Sequence, residues 1–306
     1  MVQPIRLAVV APASNADPEK VLRGVERLRA LGHTLKLMPH VLTQAWPYFA
    51  ATAEQRLDDL HAAFADPEVD AVICIRGGYG SNYLLEGLDL DMLRRNAKPF
   101  IGYSDHTAIA TWMLDQAGVP VLHGPMVAAD FSRGDGVDLL SFAAALGGEA
   151  YRLGGDSGVR GLQPGTARGV LYGGCLSLLT ASLGSPFAAQ TEGKLLFLED
   201  LGEKPYQIDR MLRHLKLAGK FEGVTGIIFG EMLDCVSSGA PADLTERVIL
   251  TVMEWFSGPI AYGLRSGHVS RSNVTLPFGV EAELVMDAQA AELRVEARTM
   301  IRQEEQ

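Results

Sequence analysis

A serine follows a short apolar segment at a point where the chain turns into a helix. The segment Phe100–Gly102 predicts a buried strand, Ser104 comes two residues later, and a helical pattern begins at once. This layout is that of a nucleophile elbow, in which a sharp turn exposes the serine oxygen and free helix amides face a developing oxyanion. His106 stands where the elbow motif has its second glycine. Helix capping by Ser104 or Asp105 is the simpler alternative, because both residue types favour that position.

A glycine-rich turn follows another apolar segment in the same half of the chain. Residues 69–75 lead into Arg76-Gly-Gly-Tyr-Gly80. Glycines let backbone amides approach a ligand closely, so this turn could hold an anion or donate to an oxyanion. It is a poor match to a dinucleotide-binding fingerprint, because Tyr83 stands where the third glycine belongs. A purely structural tight turn fits the same residues.

Two carboxylates and a histidine in the second half could complete a catalytic set. Glu199 and Asp200 follow the apolar segment Leu195–Leu198, and His268 lies in a later loop. Serine is a weak nucleophile unless a histidine accepts its proton and a carboxylate orients that histidine. The order serine, glutamate, histidine is compatible with such a triad, although spacing alone does not establish contact. Asp200 and Glu203 are expected to be solvated acids of a strand end and a loop.

Alternating strand and helix patterns must position these residues. In the N-terminal half they predict an α/β fold with a doubly wound, mostly parallel sheet and functional groups at the C-terminal strand ends. Residues 1–150 are expected to form this nucleophile domain, and the glycine-rich residues 151–168 a linker. Residues 169–306 are expected to form a smaller C-terminal α/β domain that carries Glu and His and ends with strands near 274–276 and 281–285. The active site is expected between the two domains.

Composition and charge argue against two classes of partner. The 306 residues are 47% hydrophobic and 21% charged, an ordinary globular balance. With 27 basic and 37 acidic residues the net charge is −10, and no basic block is present, so nucleic-acid binding is not expected. Residues 169–191 carry no charge, but glycines, a proline and hydroxyl groups make this segment too polar and broken to span a membrane.

The cysteines bear on compartment and cofactors. Cys74, Cys175 and Cys235 are far apart, odd in number and set among apolar residues. This usage predicts buried, reduced thiols and a cytoplasmic protein. No paired Cys/His spacing suggests a zinc site, so no metal is expected.

Several motifs, taken together, resemble one family. The chain is similar to the LD-carboxypeptidases, also called muramoyltetrapeptide carboxypeptidases, from Ala11-Pro12 to about Gly279. The matching motifs occur in the family's order: Arg76-Gly-Gly-Tyr-Gly, Gly102-Tyr-Ser-Asp105, His123-Gly-Pro125, Tyr172-Gly-Gly174, Leu198-Glu-Asp200 with Pro205-Tyr206 and Asp209-Arg210, and Gly267-His268 with Thr275-Leu-Pro277.

The resemblance implies a serine peptidase with a Ser-Glu-His triad. Carried over by motif, Ser104 is the nucleophile, Glu199 the acid and His268 the base. The oxyanion donors are then the backbone amides of Asp105 and Gly78. The absence of a ligand cluster, together with this complete candidate triad, predicts that no metal or organic cofactor is required. The resemblance suggests a homodimer.

The resemblance also implies a substrate. The family removes the terminal D-alanine from a murein tetrapeptide, cutting an L,D bond at diaminopimelate during cytoplasmic cell-wall recycling. Apart from the resemblance, Arg76 is a candidate for binding the D-alanine carboxylate, and an ion pair with a helix acid is the simpler alternative. Cys175 departs from the family pattern, because many members have asparagine after the paired glycines, and the departure concerns local packing or a substrate contact.

Two other functions stay open. One is a self-immunity peptidase of similar fold and triad that cleaves an acyl–nucleotide conjugate related to microcin C. The other is a two-domain protein that binds a small molecule without turning it over.

Overall fold

The chain folds into two compact units and passes between them more than once. The computed structural model describes residues 4–45, 47–236, 239–286 and 290–301. The first unit runs to Glu149 and also contains Arg271–Phe278 and the chain from Arg298 onward. The second unit contains Ala150–Ser270 and Gly279–Ala297.

Strands and helices are numbered in chain order. The described strands are β1 (Arg6–Val10), β2 (Thr34–Leu37), β3 (Ala71–Cys74), β4 (Phe100–Ile101), β5 (Val121–His123), β6 (Tyr151–Leu153), β7 (Arg160–Gln163), β8 (Gly165–Cys175), β9 (Lys194–Glu199), β10 (Gly226–Gly230), β11 (Ile260–Leu264), β12 (Leu276–Phe278), β13 (Glu281–Met286) and β14 (Ala291–Val295). The described α-helices are α1 (Pro18–Ala30), α2 (Ala53–Ala65), α3 (Leu90–Arg95), α4 (Thr107–Trp112), α5 (Leu139–Gly147), α6 (Leu176–Ala181), α7 (Pro205–Leu217) and α8 (Leu244–Val252).

The first unit is built on a sheet with the strand order β12-β5-β4-β3-β1-β2. Strands β1 to β5 are parallel, and β12 adds an antiparallel edge. The central strand β3 is apolar throughout and wholly buried, as expected for a parallel strand covered on both faces. Helix α1 begins where Asp17 accepts a hydrogen bond from Glu19 N, and Pro18 occupies its first turn. The α/β doubly wound prediction is confirmed.

The C-terminal edge of this sheet gathers the segments that could do chemistry. Strand β3 lies between β1 and β4. The chain leaves β1 towards Ser14, leaves β3 into the turn Arg76–Gly80, which we call the glycine loop, and leaves β4 towards Ser104. In open parallel sheets, ligand sites form where such loops meet.

The second unit contains a mixed sheet in the order β6-β14-β13-β8-β9-β10-β11-β7. Strands β8 to β11 are parallel, and α6, α7 and α8 connect them in turn. Strand β9 is buried from Leu195 to Glu199, so its final carboxylate lies at the C-terminal edge of the parallel strands. The loop after β11 carries His268 to the same edge of this sheet.

The linker predicted for residues 151–168 is wrong. These residues form β6, β7 and the start of β8, all within the sheet of the second unit. Their glycines serve tight turns and close strand approach: Gly158 has a φ of +87° and lies directly against the Gly263 carbonyl, where a Cβ would not fit. Glycine enrichment here reflects backbone geometry and not a flexible connection.

The strand expected near residues 274–276 belongs to the other unit. Leu276–Phe278 pairs antiparallel with β5 in the first sheet. The helix predicted to follow Ser104 has two parts, because α4 ends at Trp112 and the chain continues as a wider π-helical turn, Met113–Ala117.

Candidate active site

Ser104 lies in a strained turn between β4 and α4. Its φ is 66°, in the left-handed region that side-chain-bearing residues seldom adopt. No side chain caps the short helical turn Ser104–His106 or the α4 helix that follows. The helix-capping alternative therefore does not account for Ser104. A strained serine between a strand and a helix is the backbone signature of a nucleophile elbow.

The glycine loop approaches this serine closely. A Cβ at Gly77 would lie 2.7 Å from Ser104 Cβ and 2.8 Å from Ser104 Oγ. Only glycine lets the loop backbone come this near the hydroxyl oxygen.

Replacing Gly77 by alanine is therefore expected to displace either the loop or the serine. We expect Gly77→Ala to lower kcat by about 100-fold, since a displacement of about 1 Å in a catalytic group has an effect of that order. Steady-state kinetics beside Gly134→Ala, where an added Cβ meets nothing within 4 Å, provides the comparison. Equal activity in the two variants would contradict the close approach.

Hydrogen bonds fix the glycine loop to the serine turn. His106 Nε2 donates to the Arg76 carbonyl at 2.8 Å. Asp105 Oδ2 accepts from Ser81 N at 2.7 Å, and the Ser81 hydroxyl donates to the Asp105 carbonyl at 2.6 Å. Burial lowers the pKa of His106, which keeps this imidazole neutral. The two segments thus form one braced structure.

Among the described residues, the backbone amides of the glycine loop and the serine turn that have no protein acceptor include those of Gly78 and Asp105. Ser14 Oγ accepts from Tyr79 N at 3.0 Å and so satisfies the amide next to Gly78. Across the described residues, no acceptor bonds the N–H of Gly78 or of Asp105. Amides left without a partner beside a nucleophile are suited to receive the negative oxygen of a tetrahedral intermediate.

In the second unit, Glu199 and His268 form a close pair. Glu199 Oε2 accepts from His268 Nδ1 at 2.8 Å and from the His268 backbone N–H at 3.0 Å. The Glu199 side chain has no exposed surface, and that of His268 is 18% exposed. Because Nδ1 donates to the carboxylate, Nε2 of the neutral ring carries the lone pair that can accept a proton. This is the geometry of a general base held by an acid.

Glycines and a second carboxylate hold the histidine loop. Gly267 has a φ of +89°, and a Cβ there would lie 2.6 Å from Glu199 Cδ. Glu231 Oε2 accepts from Ser270 N at 3.0 Å, so one carboxylate bonds His268 and another bonds the chain two residues later. Sequence reasoning did not single out Glu231. Its position directly after the buried strand β10, similar to that of Glu199 at the end of β9, was the available signal.

Two family models match the chain. The LD-carboxypeptidase N-terminal domain matches residues 7–124, and the LD-carboxypeptidase C-terminal domain matches residues 168–284. The chain belongs to the LD-carboxypeptidase family. The resemblance seen in the motifs is confirmed, and the chain is a serine-type carboxypeptidase by family.

Curated relatives and solved structures agree with this assignment. A probable murein peptide carboxypeptidase of Bacillus subtilis is 38% identical over 282 residues, 91% of this chain and 88% of the relative. A murein tetrapeptide carboxypeptidase of Pseudomonas aeruginosa is 32% identical over 301 residues, 92% and 94% of the two chains. The muramoyltetrapeptide carboxypeptidase of Oxalobacter formigenes has a similar structure, with a TM-score of 0.83, 28% identity, and coverage of 95% and 98%.

A second kind of structure shares the fold. The microcin C7 self immunity protein MccF, in complex with glutamyl sulfamoyl guanosine, matches with a TM-score of 0.85, 23% identity and 97% coverage of both chains. At this identity the likeness shows the fold alone.

In this LD-carboxypeptidase, Asp200 is not the solvated acid expected from its position. It is 4% exposed, and its carboxylate accepts from Ser177 N at 2.7 Å and from Leu201 N at 2.9 Å. Burial, and then the neighbouring charge of Glu199, raise the pKa of Asp200 to about 6. Asp200 caps the start of α6, for which Cys175 supplies no side-chain bond.

The raised pKa gives Asp200 a predictable influence on stability. The folded protein binds this proton more tightly than the unfolded chain, so the stabilisation is complete below about pH 4 and is lost as pH rises towards about 6. Asn at this position stays neutral, so the free energy of unfolding of Asp200→Asn relative to wild type should rise by roughly 1 to 2 kcal/mol between about pH 5 and about pH 8.

Urea unfolding at the two pH values measures this difference. Asp91→Asn, which alters a side chain that is 76% exposed, is the control and should parallel wild type. If the free energies of unfolding of Asp200→Asn and wild type differed by the same amount at both pH values, the raised pKa of Asp200 would be contradicted.

Cys175 is a packing residue of this LD-carboxypeptidase and not a reactive thiol. The paired glycines before it lie in β8, with φ values of 142° and 138°, and not in a turn. Cys175 pairs with Glu199 in the strand register, and its Sγ lies 3.3 Å from Ser177 Oγ. Burial raises its pKa well above the usual thiol value. All three cysteines are buried and free, which confirms that prediction.

Arg76 is exposed at the start of the glycine loop. Its Nη1 donates to the Asn15 carbonyl at 3.4 Å, and no ion pair involving it is found among the described residues. A role in binding a substrate carboxylate stays a prediction. Where the structure describes the chain, no group of three or more His, Cys, Asp or Glu residues could hold a metal ion. Over the same residues, no helix has the length and apolarity to cross a membrane.

Proposed function

We propose that this chain hydrolyses the L,D-amide bond before the terminal D-alanine of a murein tetrapeptide, with Ser104, His268 and Glu199 as a catalytic triad. The strained turn at Ser104, beside two backbone amides without acceptors, is the observation that carries the reaction type. The substrate class is supported by relatives named as murein peptide carboxypeptidases. Arg76, an exposed guanidinium beside the proposed nucleophile turn, is proposed to bind the substrate carboxylate.

The reaction begins with attack on the scissile carbonyl. As Ser104 Oγ bonds to the carbonyl carbon, His268 Nε2 accepts the hydroxyl proton, and Glu199 stabilises the resulting imidazolium through the bond at Nδ1. The carbonyl oxygen becomes negative and receives hydrogen bonds from the amides of Gly78 and Asp105.

Collapse of this intermediate breaks the carbon–nitrogen bond. His268 returns its proton to the leaving amine, D-alanine departs, and the rest of the peptide remains as an ester on Ser104. A water molecule then attacks the ester carbon while His268 accepts its proton. The ester carbon–oxygen bond breaks, His268 returns the proton to Ser104 Oγ, and the tripeptide is released. Every group in this sequence belongs to the chain or to the substrate, so no cofactor enters the proposal.

Incubation with a murein tetrapeptide tests the proposal. We expect mass spectrometry to show loss of one alanine, and the same reaction with Ser104→Ala to show none. Free tetrapeptide and UDP-muramoyl tetrapeptide are supplied separately, to find which form is turned over faster.

The same assay separates the two alternatives. An aminoacyl-sulfamoyl adenylate, incubated in parallel, would be cleaved in preference to the murein peptides if the chain were a self-immunity peptidase. A binding protein without turnover would leave all these compounds intact and would bind one of them equally well after Ser104→Ala. Either result would contradict the proposal.

We also propose a cytoplasmic role in cell-wall recycling and a homodimeric state. Three buried free thiols are typical of a reducing compartment. Cell fractionation tests the location, and light scattering of the purified protein tests the dimer, which rests on family resemblance.

A further inference from the structure

A buried arginine lies against the glycine loop. Arg56, in the first turns of α2, is only 3% exposed. Its guanidinium contacts three backbone carbonyls: Nε donates to Ala51 O at 3.2 Å, and Nη1 donates to Gly80 O at 2.8 Å and to Pro12 O. Burying a charged group is costly unless its hydrogen bonds are made, so this arrangement is a specific one.

The three carbonyls come from separate parts of the first unit. Ala51 precedes α2, Pro12 follows β1, and Gly80 ends the glycine loop. The guanidinium also stacks 4.9 Å from the centre of the Phe49 ring. A planar fork with several fixed donors can meet such carbonyls at once, whereas a lysine ammonium on a flexible stem would not hold the same set.

Arg56 thereby completes the anchoring of the glycine loop. His106 holds the loop at the Arg76 carbonyl, and Ser14 holds it at the Tyr79 amide. Arg56 holds its end at Gly80, where φ is +119° and an added Cβ would lie 3.1 Å from Nη1. The Gly78 amide lies between these fixed points.

We propose that Arg56 is a positioning residue for oxyanion stabilisation, which fixes the Gly80 carbonyl and so aims the Gly78 amide at the developing negative oxygen. The inference rests on the proposed function of Gly78 and Ser104. Arg56 should affect mainly the transition state, because an oriented amide N–H stabilises an oxyanion more than it stabilises the neutral carbonyl of the bound substrate.

Substitution of Arg56 should therefore lower kcat and leave substrate and product binding nearly unchanged. We expect Arg56→Lys to lower kcat by roughly 10- to 100-fold and Arg56→Met by roughly 100- to 1000-fold, the range for a lost oxyanion donor, with KM and the Kd of the tripeptide product within about twofold of wild type. Arg94→Lys and Arg94→Met are matched controls, because Arg94 Nε and Nη2 donate to the Gln116 carbonyl at 3.1 and 2.8 Å on the surface of the same unit.

A second readout does not depend on which amide is the natural substrate. A fluorophosphonate probe reacts with an activated serine: Ser104 Oγ bonds to phosphorus, fluoride leaves, and the hydroxyl proton passes to the base. The phosphoryl oxygen occupies the oxyanion position in that reaction. The rate of labelling should fall in the Arg56 variants by a factor similar to the fall in kcat and stay unchanged in the Arg94 variants.

The measured rates and product affinities either support or overturn the role of Arg56. Parallel falls in kcat and labelling rate, with unchanged product Kd, support the inference. The inference is overturned if a folded Arg56→Lys is labelled and turns over substrate at the wild-type rate. It is also overturned if product affinity and rate fall equally. Arg56→Lys is the deciding variant if Arg56→Met does not fold. If wild type labels but releases no D-alanine, the proposed substrate fails, while the labelling rates still decide the role of Arg56.

Discussion

Alanine at Ser104 or at His268 should each lower kcat for D-alanine release by roughly 10⁴-fold or more, and the double variant should be scarcely slower than either single one. The two residues serve one proton transfer in the proposed mechanism, so removal of either partner already removes the step. Product binding should persist, because the serine hydroxyl contributes little to ground-state affinity.

Single-turnover rates and product Kd for the three variants provide the measurement. Additive losses in activation free energy would show that Ser104 and His268 act in independent steps, contrary to the triad. A substantial loss of product affinity in Ser104→Ala would instead indicate a structural role for the strained turn.

Glutamine at Glu199 should lower kcat by about 10³- to 10⁴-fold and move the pH midpoint of kcat/KM downward. One carboxylate oxygen accepts both the ring N–H and the backbone N–H of His268, and the side chain is wholly buried. A neutral amide no longer favours the protonated imidazole, so the ring loses its proton at lower pH. The profile of kcat/KM between about pH 5 and about pH 9 measures the shift.

Glu203→Gln is the matched control for this prediction. Glu203 lies four residues further on, is half-buried and forms no bond to His268 among the described residues. Its substitution should leave both the rate and the midpoint unchanged. A severe loss in Glu203→Gln beside a near-normal Glu199→Gln would move the acid to Glu203.

Local patterns predicted those elements whose pairing follows chain order. The apolar segment before Arg76 and the one before Ser104 became adjacent parallel strands, as the alternation of strand and helix predicts. The same logic failed for Leu276–Phe278, which pairs with β5, more than a hundred residues earlier in the chain. No local period indicates that a strand returns to a distant sheet.

The sequence predicted which residues form the site more fully than it predicted the surroundings of those residues. Motif order predicted the residues that form the Glu199–His268 pair, but not that Asp200 would be buried beside it. Arg56 carried no sequence signal, because its helix reads as an ordinary amphipathic one and its partners are backbone carbonyls. Hydrogen bonds to backbone carbonyls of this kind depend on tertiary packing and cannot be recognised from residue types in the sequence.

The return of Arg271–Phe278 to the first sheet has a consequence for how the polypeptide can be divided. A chain cut after Glu149 would lack β12, and the outer side of β5 would present unpaired N–H and C=O groups. An open strand edge of that kind pairs readily with other chains and promotes aggregation. The complementary fragment would keep Leu276 and Phe278, both buried in the intact protein, without the strand that covers them. A split of the chain at its middle would therefore separate β5 from its edge partner, and an exchange with a relative at that point would have to bring a compatible C-terminal strand with it.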